Sequence, residues 1–140
     1  MSSNKILVAI DGSEHSYLIV DKAIEYAMLF DVSVLLVYCH RRFPTIMGEP
    51  YRDEQISSII SESEKVIAPF LQHIRNAGIT VEERLMEEPA GAVITNIARI
   101  EHCDLIVMGS RGLTNLAGLI IGSVTNRVLH TAPCSVLVVR

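Results

Sequence analysis

The chain has no tryptophan, and only three phenylalanines and four tyrosines among its 140 residues. A core must therefore be assembled from aliphatic side chains, and hydrophobic residues make up 49% of the sequence. That share belongs to folded globular chains and excludes wholesale disorder. Cysteine is scarce as well. Cys39, Cys103 and Cys134 are an odd number without metal-type spacing, which argues against a disulfide framework and a zinc module. Reduced, structural thiols in a cytoplasmic protein are expected. Positive charge is in deficit, with 12 Lys and Arg against 16 Asp and Glu, so the basic stripe of a nucleic-acid binder is missing. Apolar runs are strand-sized and fall short of the roughly 20 residues of a membrane helix. The opening Met1–Lys5 leads straight into an apolar run and lacks the layout of a signal peptide. Repeats, linkers and low-complexity segments are not apparent, so residues 1–140 read as one domain.

What is present is a regular alternation. Lys5–Ile10 is a short continuous apolar run bounded by Asp11, Gly12 and Ser13, which predicts a buried strand followed by a helix start. Val20, Ile24, Ala27 and Met28 then recur at helical spacing. Val32–Cys39 is a second β-branched and leucine-rich strand, followed by a polar loop through Pro44, Gly48 and Pro50. The clearest helix carries Ile56, Ile59, Ile60, Ile67, Phe70, Leu71 and Ile74 along one stripe, and Gly78 follows where left-handed backbone ends helices. Val81–Glu87 is a strand interrupted by charge. Pro89–Ile100 is a helix with Val93, Ile94, Ile97 and Ala98 inward. Leu105–Met108 is a fourth strand ending in Gly109, Ser123–His130 a short helix stopped by Pro133, and Cys134–Val139 the last strand.

Strands that alternate with helices and are apolar throughout predict a doubly wound α/β fold, Rossmann-like, with one five-stranded parallel sheet and helices on both faces. The first, second and fourth strands are almost wholly apolar and belong in the centre; the third carries Glu82, Glu83 and Arg84 and belongs at an edge. With right-handed crossovers, the order is 3-2-1-4-5. The first and fourth strands are then neighbours whose following loops leave to opposite faces, and ligands bind at such a switch point.

The loops meeting there are residues 11–14 and 109–123. The second reads Gly109, Ser110, Arg111, Gly112, nine further residues, then Gly122, Ser123 and Val124 opening a helix. Glycines let backbone N–H groups approach an anion, a helix N-terminus adds unpaired donors, and Arg111 offers a countercharge. The alternative is that the glycines only form turns and Ser123 only caps its helix. Asp11, with Glu14 three positions on, likewise fits a helix cap as well as a ligand contact.

The spacing Gly-x-x-Gly, nine residues, Gly-Ser resembles the ATP-binding signature of the nucleotide-binding branch of the universal stress protein family. The resemblance extends over almost the whole chain: Ile6–Ser13, Pro89–Ala90, Asp104–Gly112, Gly122–Val124 and Ala132–Arg140. Relatives often carry proline at the position of Ser135 and glycine at that of Glu88. The resemblance implies that Ala9 and Tyr38 line an adenine pocket, and that Asp11 meets the ribose or a phosphate-bound Mg²⁺. It implies that Met108 and Gly109 contact the ribose and first phosphates by backbone, and that Arg111, Gly112, Gly122, Ser123 and Val124 surround the rest of the phosphate chain. ATP, or ADP or AMP, is the implied ligand.

Remaining features read as structural. Cys39, His40, Arg41 and Arg42 lack a second Cys/His cluster and are expected to form a solvated basic loop, with Arg41 or Arg42 able to approach phosphates. His130 complements a helix end. Tyr17, Tyr26 and Tyr51 are expected to be packing or surface residues. The sequence lacks the P-loop Gly-x-x-x-x-Gly-Lys-Ser/Thr and the Rossmann Gly-x-Gly-x-x-Gly. Nothing pairs a nucleophile with a base at recognisable spacing. A receiver-type phosphoacceptor needs an acidic cluster, and only Asp11 is suitably placed. Nucleotide binding with a partner-directed role therefore leads over the alternative, a slow ATPase or nucleotide-dependent enzyme. The last strand, apolar on both faces at a sheet edge, predicts a homodimer.

Overall fold

The computed structural model describes residues 4–110 and 121–140. Its strands are β1 (Lys5–Ile10), β2 (Ser33–His40), β3 (Val81–Glu87), β4 (Leu105–Gly109) and β5 (Ser135–Val139). Between them lie the helices α1 (His15–Phe30), α2 (Tyr51–Asn76), α3 (Ala90–Ile100) and α4 (Ser123–Thr131). All strand pairs are parallel, in the order β3-β2-β1-β4-β5.

The continuous apolar strands follow from burial on both faces. Ile6, Val8 and Ile10 of β1 pack under α1 and α2 with Val34, Leu36 and Val107. Leu7 and Ala9 point the other way and pack with Leu35, Val37, Ile106 and Met108 against α3 and α4. β3 has β2 alone as its neighbour, so its outer side tolerates the charges that marked it as an edge.

Two helix assignments need correction at the level of single residues. The inward stripe of α1 is Ser16, Ile19, Val20, Ala23 and Ala27, whereas Met28 is 57% exposed. In α2 the stripe is Ile59, Ser63, Ile67, Phe70, Leu71 and Ile74, and Ile60 is 37% exposed. Each outlier follows a buried neighbour, and one residue turns the side chain about 100° around the axis. Gly78 has φ +81° as its position after α2 predicted. At the far end of α4, Ala132 is extended before Pro133 and the helix stops.

Candidate functional site

The register places the carboxyl ends of the three central strands together. Ile10 pairs with Tyr38, Val8 with Val107, and Gly109 with Val139. Beyond them lies a cavity of about 660 Å³. Ala9 and Asp11 after β1, Tyr38 at the end of β2, and Met108 and Gly109 at the end of β4 all line it, as do Gly122, Ser123 and Val124 at the start of α4. Eight of the ten residues singled out in the sequence therefore meet at one place. Arg111 and Gly112 lie outside the described residues.

Asp11 organises the turn into α1. Its Oδ1 accepts from the Ser13 N–H at 2.9 Å, the Ser13 hydroxyl at 2.6 Å and the Ser16 hydroxyl at 3.2 Å. This is an Asx-type turn. The Asp11–Glu14 capping box does not form: α1 starts after Glu14, without a side-chain cap. Gly12, at φ +83°, completes the turn.

On the other side of the switch point the backbone is tied to β4 and β5. Ser110 N–H donates to the Val139 carbonyl at 3.0 Å, and His15 Nε2 lies 3.1 Å from the same oxygen. Gly122 N–H donates to the Ser110 carbonyl at 2.7 Å, and the Thr125 hydroxyl donates to the Gly109 carbonyl at 2.6 Å. One expectation changes here. The amide of Gly122 is committed to protein rather than to an anion, and its φ −63° and ψ 157° are ordinary extended backbone. The first intrahelical bond of α4 runs from Asn126 N–H to the Gly122 carbonyl. The amides of Ser123, Val124 and Thr125 stand ahead of that bond, where helices present donors to ligands.

The remainder of the wall comes from residues that periodicity marked only as core or loop. His40 is not part of a solvated loop: it closes β2, is 5% exposed and packs against Phe43 at a ring separation of 4.8 Å. Arg41 and Arg42 are exposed, and Arg41 borders the cavity. Glu62, Ser63 and Val66 of α2 contribute from one face of the sheet, Ala90 and Ile94 of α3 from the other. Burial, reinforced by Asp11 and Glu88, raises the pKa of the Tyr38 phenol. Burial and Glu88 push the Cys39 thiol up to about 11. His130 Nδ1 bonds the Asn126 carbonyl within α4, and Tyr17 packs on Phe70 with ring centroids 4.6 Å apart. Among the described residues no group of three or more His, Cys, Asp or Glu is arranged to hold a metal ion. Nor, among them, is any helix long and apolar enough to cross a membrane.

The fold has close counterparts among solved structures. The solved structure of the universal stress protein UspA from Lactobacillus plantarum matches with a TM-score of 0.84 at 20% identity, covering 100% of this chain and 99% of that one. A universal stress protein from Archaeoglobus fulgidus, solved in complex with dAMP, matches with a TM-score of 0.65 at 22% identity and 100% coverage of both chains. A family protein from Arabidopsis thaliana, solved with AMP bound, matches at 0.65 and 18% identity, covering 97% of this chain and 90% of its own. In sequence, a universal stress protein of Thermus aquaticus is 35% identical over 137 residues, which are 96% of this chain and 97% of that protein. The model of the universal stress protein family matches residues 2–140. This chain belongs to the universal stress protein family.

Proposed function

We propose that residues 1–140 form one nucleotide-binding domain. It holds ATP, or ADP or AMP, in the cavity beyond β1 and β4, and acts in the cytoplasm by changing its interactions with a protein partner during stress. The observation that carries this reading is the convergence of Asp11, the glycine-ended β4 and the N-terminus of α4 on one cavity. Its volume, about 660 Å³, is in the range of small-molecule sites. Relatives of the same fold solved with dAMP and AMP support the adenine nucleotide as ligand class.

In this reading Ala9 and Tyr38 flank the base, and Met108 and Gly109 meet the ribose and first phosphates. The amides of Ser123, Val124 and Thr125 take phosphate oxygens, while Gly122 leaves room for them. Arg111 and Gly112 complete the phosphate site from the connecting segment, as their places in the motif imply. Asp11 fits a Mg²⁺ carried by the phosphates. Its Oδ1 is saturated by three donors, which leaves Oδ2 for the ion or a ribose hydroxyl, and Mg²⁺ bound to phosphates needs only one or two carboxylates. The missing P-loop lysine argues for binding without efficient turnover, slower than the roughly 10 s⁻¹ of a typical enzyme. The protein is a homodimer through β5.

The test is to denature freshly purified protein, identify any released small molecule by mass spectrometry, and titrate the emptied protein calorimetrically. ATP, ADP or AMP at one site per chain is expected. A released flavin or nicotinamide, or no heat with any adenine nucleotide at millimolar concentration, would contradict the reading.

A further inference from the structure

α2 is one helix in two mechanical parts. Its core packing begins at Ile67: that residue, Phe70, Leu71 and Ile74 join Val8, Val34 and Leu36 in the core under α1 and α2. The same stretch is tied to α1, with His73 Nε2 2.6 Å from Asp21 Oδ1 and the Phe70 ring against Tyr17. The part before Ile67 is held differently. Residues 51–58 contain no buried side chain. Among the described residues Ile59, though 2% exposed, and Val66 belong to neither of the two core groups. What they border is the cavity. Ile59, Glu62, Ser63 and Val66 line it, and no residue of α2 after Val66 does.

The helix is weakest where the two parts join. Pro69 lies inside α2 and has no N–H, so the bond to the Lys65 carbonyl four residues back cannot form, and its ring crowds that carbonyl. Just ahead of it the Ser63 hydroxyl donates to the Ile59 carbonyl at 2.7 Å, a back-bond that also bends helices. At its start the arm is tied to the loop before it. Arg52 N–H donates to the Gly48 carbonyl at 3.2 Å and Arg52 Nε to the Pro44 carbonyl at 2.8 Å. At the cavity Val66 rests on the turn after β1, its Cγ1 2.7 Å from where a Cβ on Gly12 would stand.

We infer that residues 51–66 are a lid on the cavity, hinged on the anchored second half of α2 at the missing Lys65–Pro69 bond. The lid is closed when Val66 sits on the Gly12 turn. Resting on the nucleotide reading above, its opening admits and releases the ligand, on the microsecond-to-millisecond scale of such motions.

Five isoleucines report along α2: Ile56, Ile59 and Ile60 on the lid, Ile67 and Ile74 on the anchor. Methyl relaxation dispersion on the intact ligand-free chain should show one common exchange process at the first three and none at the other two. Saturating ATP should suppress it. Pro69→Ala, at an exposed position, restores the backbone N–H and stiffens the hinge. It should slow the exchange about tenfold, the effect of one backbone hydrogen bond that bending must break. ATP entry and release, followed by stopped flow, should slow with it. Equal dispersion at all five methyls, none at the first three, or a rate unmoved by Pro69→Ala overturns the lid and leaves nucleotide binding standing. So does exchange that persists unchanged in an ATP complex. Exchange as expected in a chain that binds no ATP supports the hinge and overturns the nucleotide reading.

Discussion

Gly12 sits at φ +83°, and a Cβ at that position would stand 2.7 Å from Val66 Cγ1. Two independent penalties follow, a left-handed backbone and a steric clash with α2. Gly12→Ala is expected to lower stability by about 1–3 kcal/mol in urea unfolding. In a double-mutant cycle, Val66→Ala should recover the clash but not the backbone component. Gly122 makes the contrasting case. Its backbone suits any residue, so Gly122→Val should fold normally by circular dichroism. In the proposed nucleotide site its side chain would still crowd the phosphates. Loss of one charge-assisted hydrogen bond weakens ATP by about tenfold or more, while adenosine is affected much less. Unchanged ATP affinity would make Gly122 a turn residue only. The glycines were legible in the sequence because motif spacing marks them. That the Gly122 amide is spent on Ser110 was not, because the partner lies across a connection of a dozen residues. His40 was misread for a similar reason: its burial depends on Phe43 folding back onto it, which no local pattern announces.

At the scale of elements, one ion-pair cluster joins the start of β1, the edge strand β3 and the end of α3. Lys5 Nζ lies 2.9 Å from Glu101 and 3.3 Å from Glu82, and Arg84 lies 3.0 Å from Glu101 and 3.2 Å from Glu82. Hydrogen bonds from Lys5, then Arg84, hold the Glu101 carboxyl below its ordinary 4.5. The hydrogen bond to Glu101 raises Lys5 above its ordinary 10.5 despite desolvation. The depressed carboxylate contributes stability above its unfolded pKa and loses it as pH falls through the lower folded value. The raised lysine contributes below 10.5 and loses its part as pH rises through the higher folded value. Glu101→Gln should therefore destabilise by about 1 kcal/mol or less at pH 7, and the gap to wild type should close as pH falls below 4.5 and through the lowered folded value. A gap that persisted in acid would assign the effect to packing. The charges of β3 mark this strand as an edge. Their pairing with Lys5 and Glu101 was hidden because it depends on sheet register across 96 residues.

For the whole molecule, strand polarity and crossover handedness were enough to order the sheet, since a parallel strand buried on both faces leaves little freedom in composition. The same logic bears on assembly. β5 pairs with β4 on one side and ends the sheet on the other, and Val136, Leu137, Val138 and Val139 all keep partial exposure. An apolar edge of this kind favours strand-to-strand pairing with a second copy. Light scattering at micromolar concentration should give a dimer mass, and Val138→Lys should shift it toward monomer. A monomeric wild type would refute the assembly without touching the site.

The central claim, an adenine nucleotide seated across the switch point, is tested most directly by amide chemical shifts in ¹⁵N-labelled protein titrated with ATP. Saturable changes are expected at Ala9–Ser13, Tyr38–Arg41, Met108–Ser110 and Gly122–Thr125, with one nucleotide per chain. Absence of change at millimolar ATP, or changes confined to surfaces away from those four segments, would contradict the account.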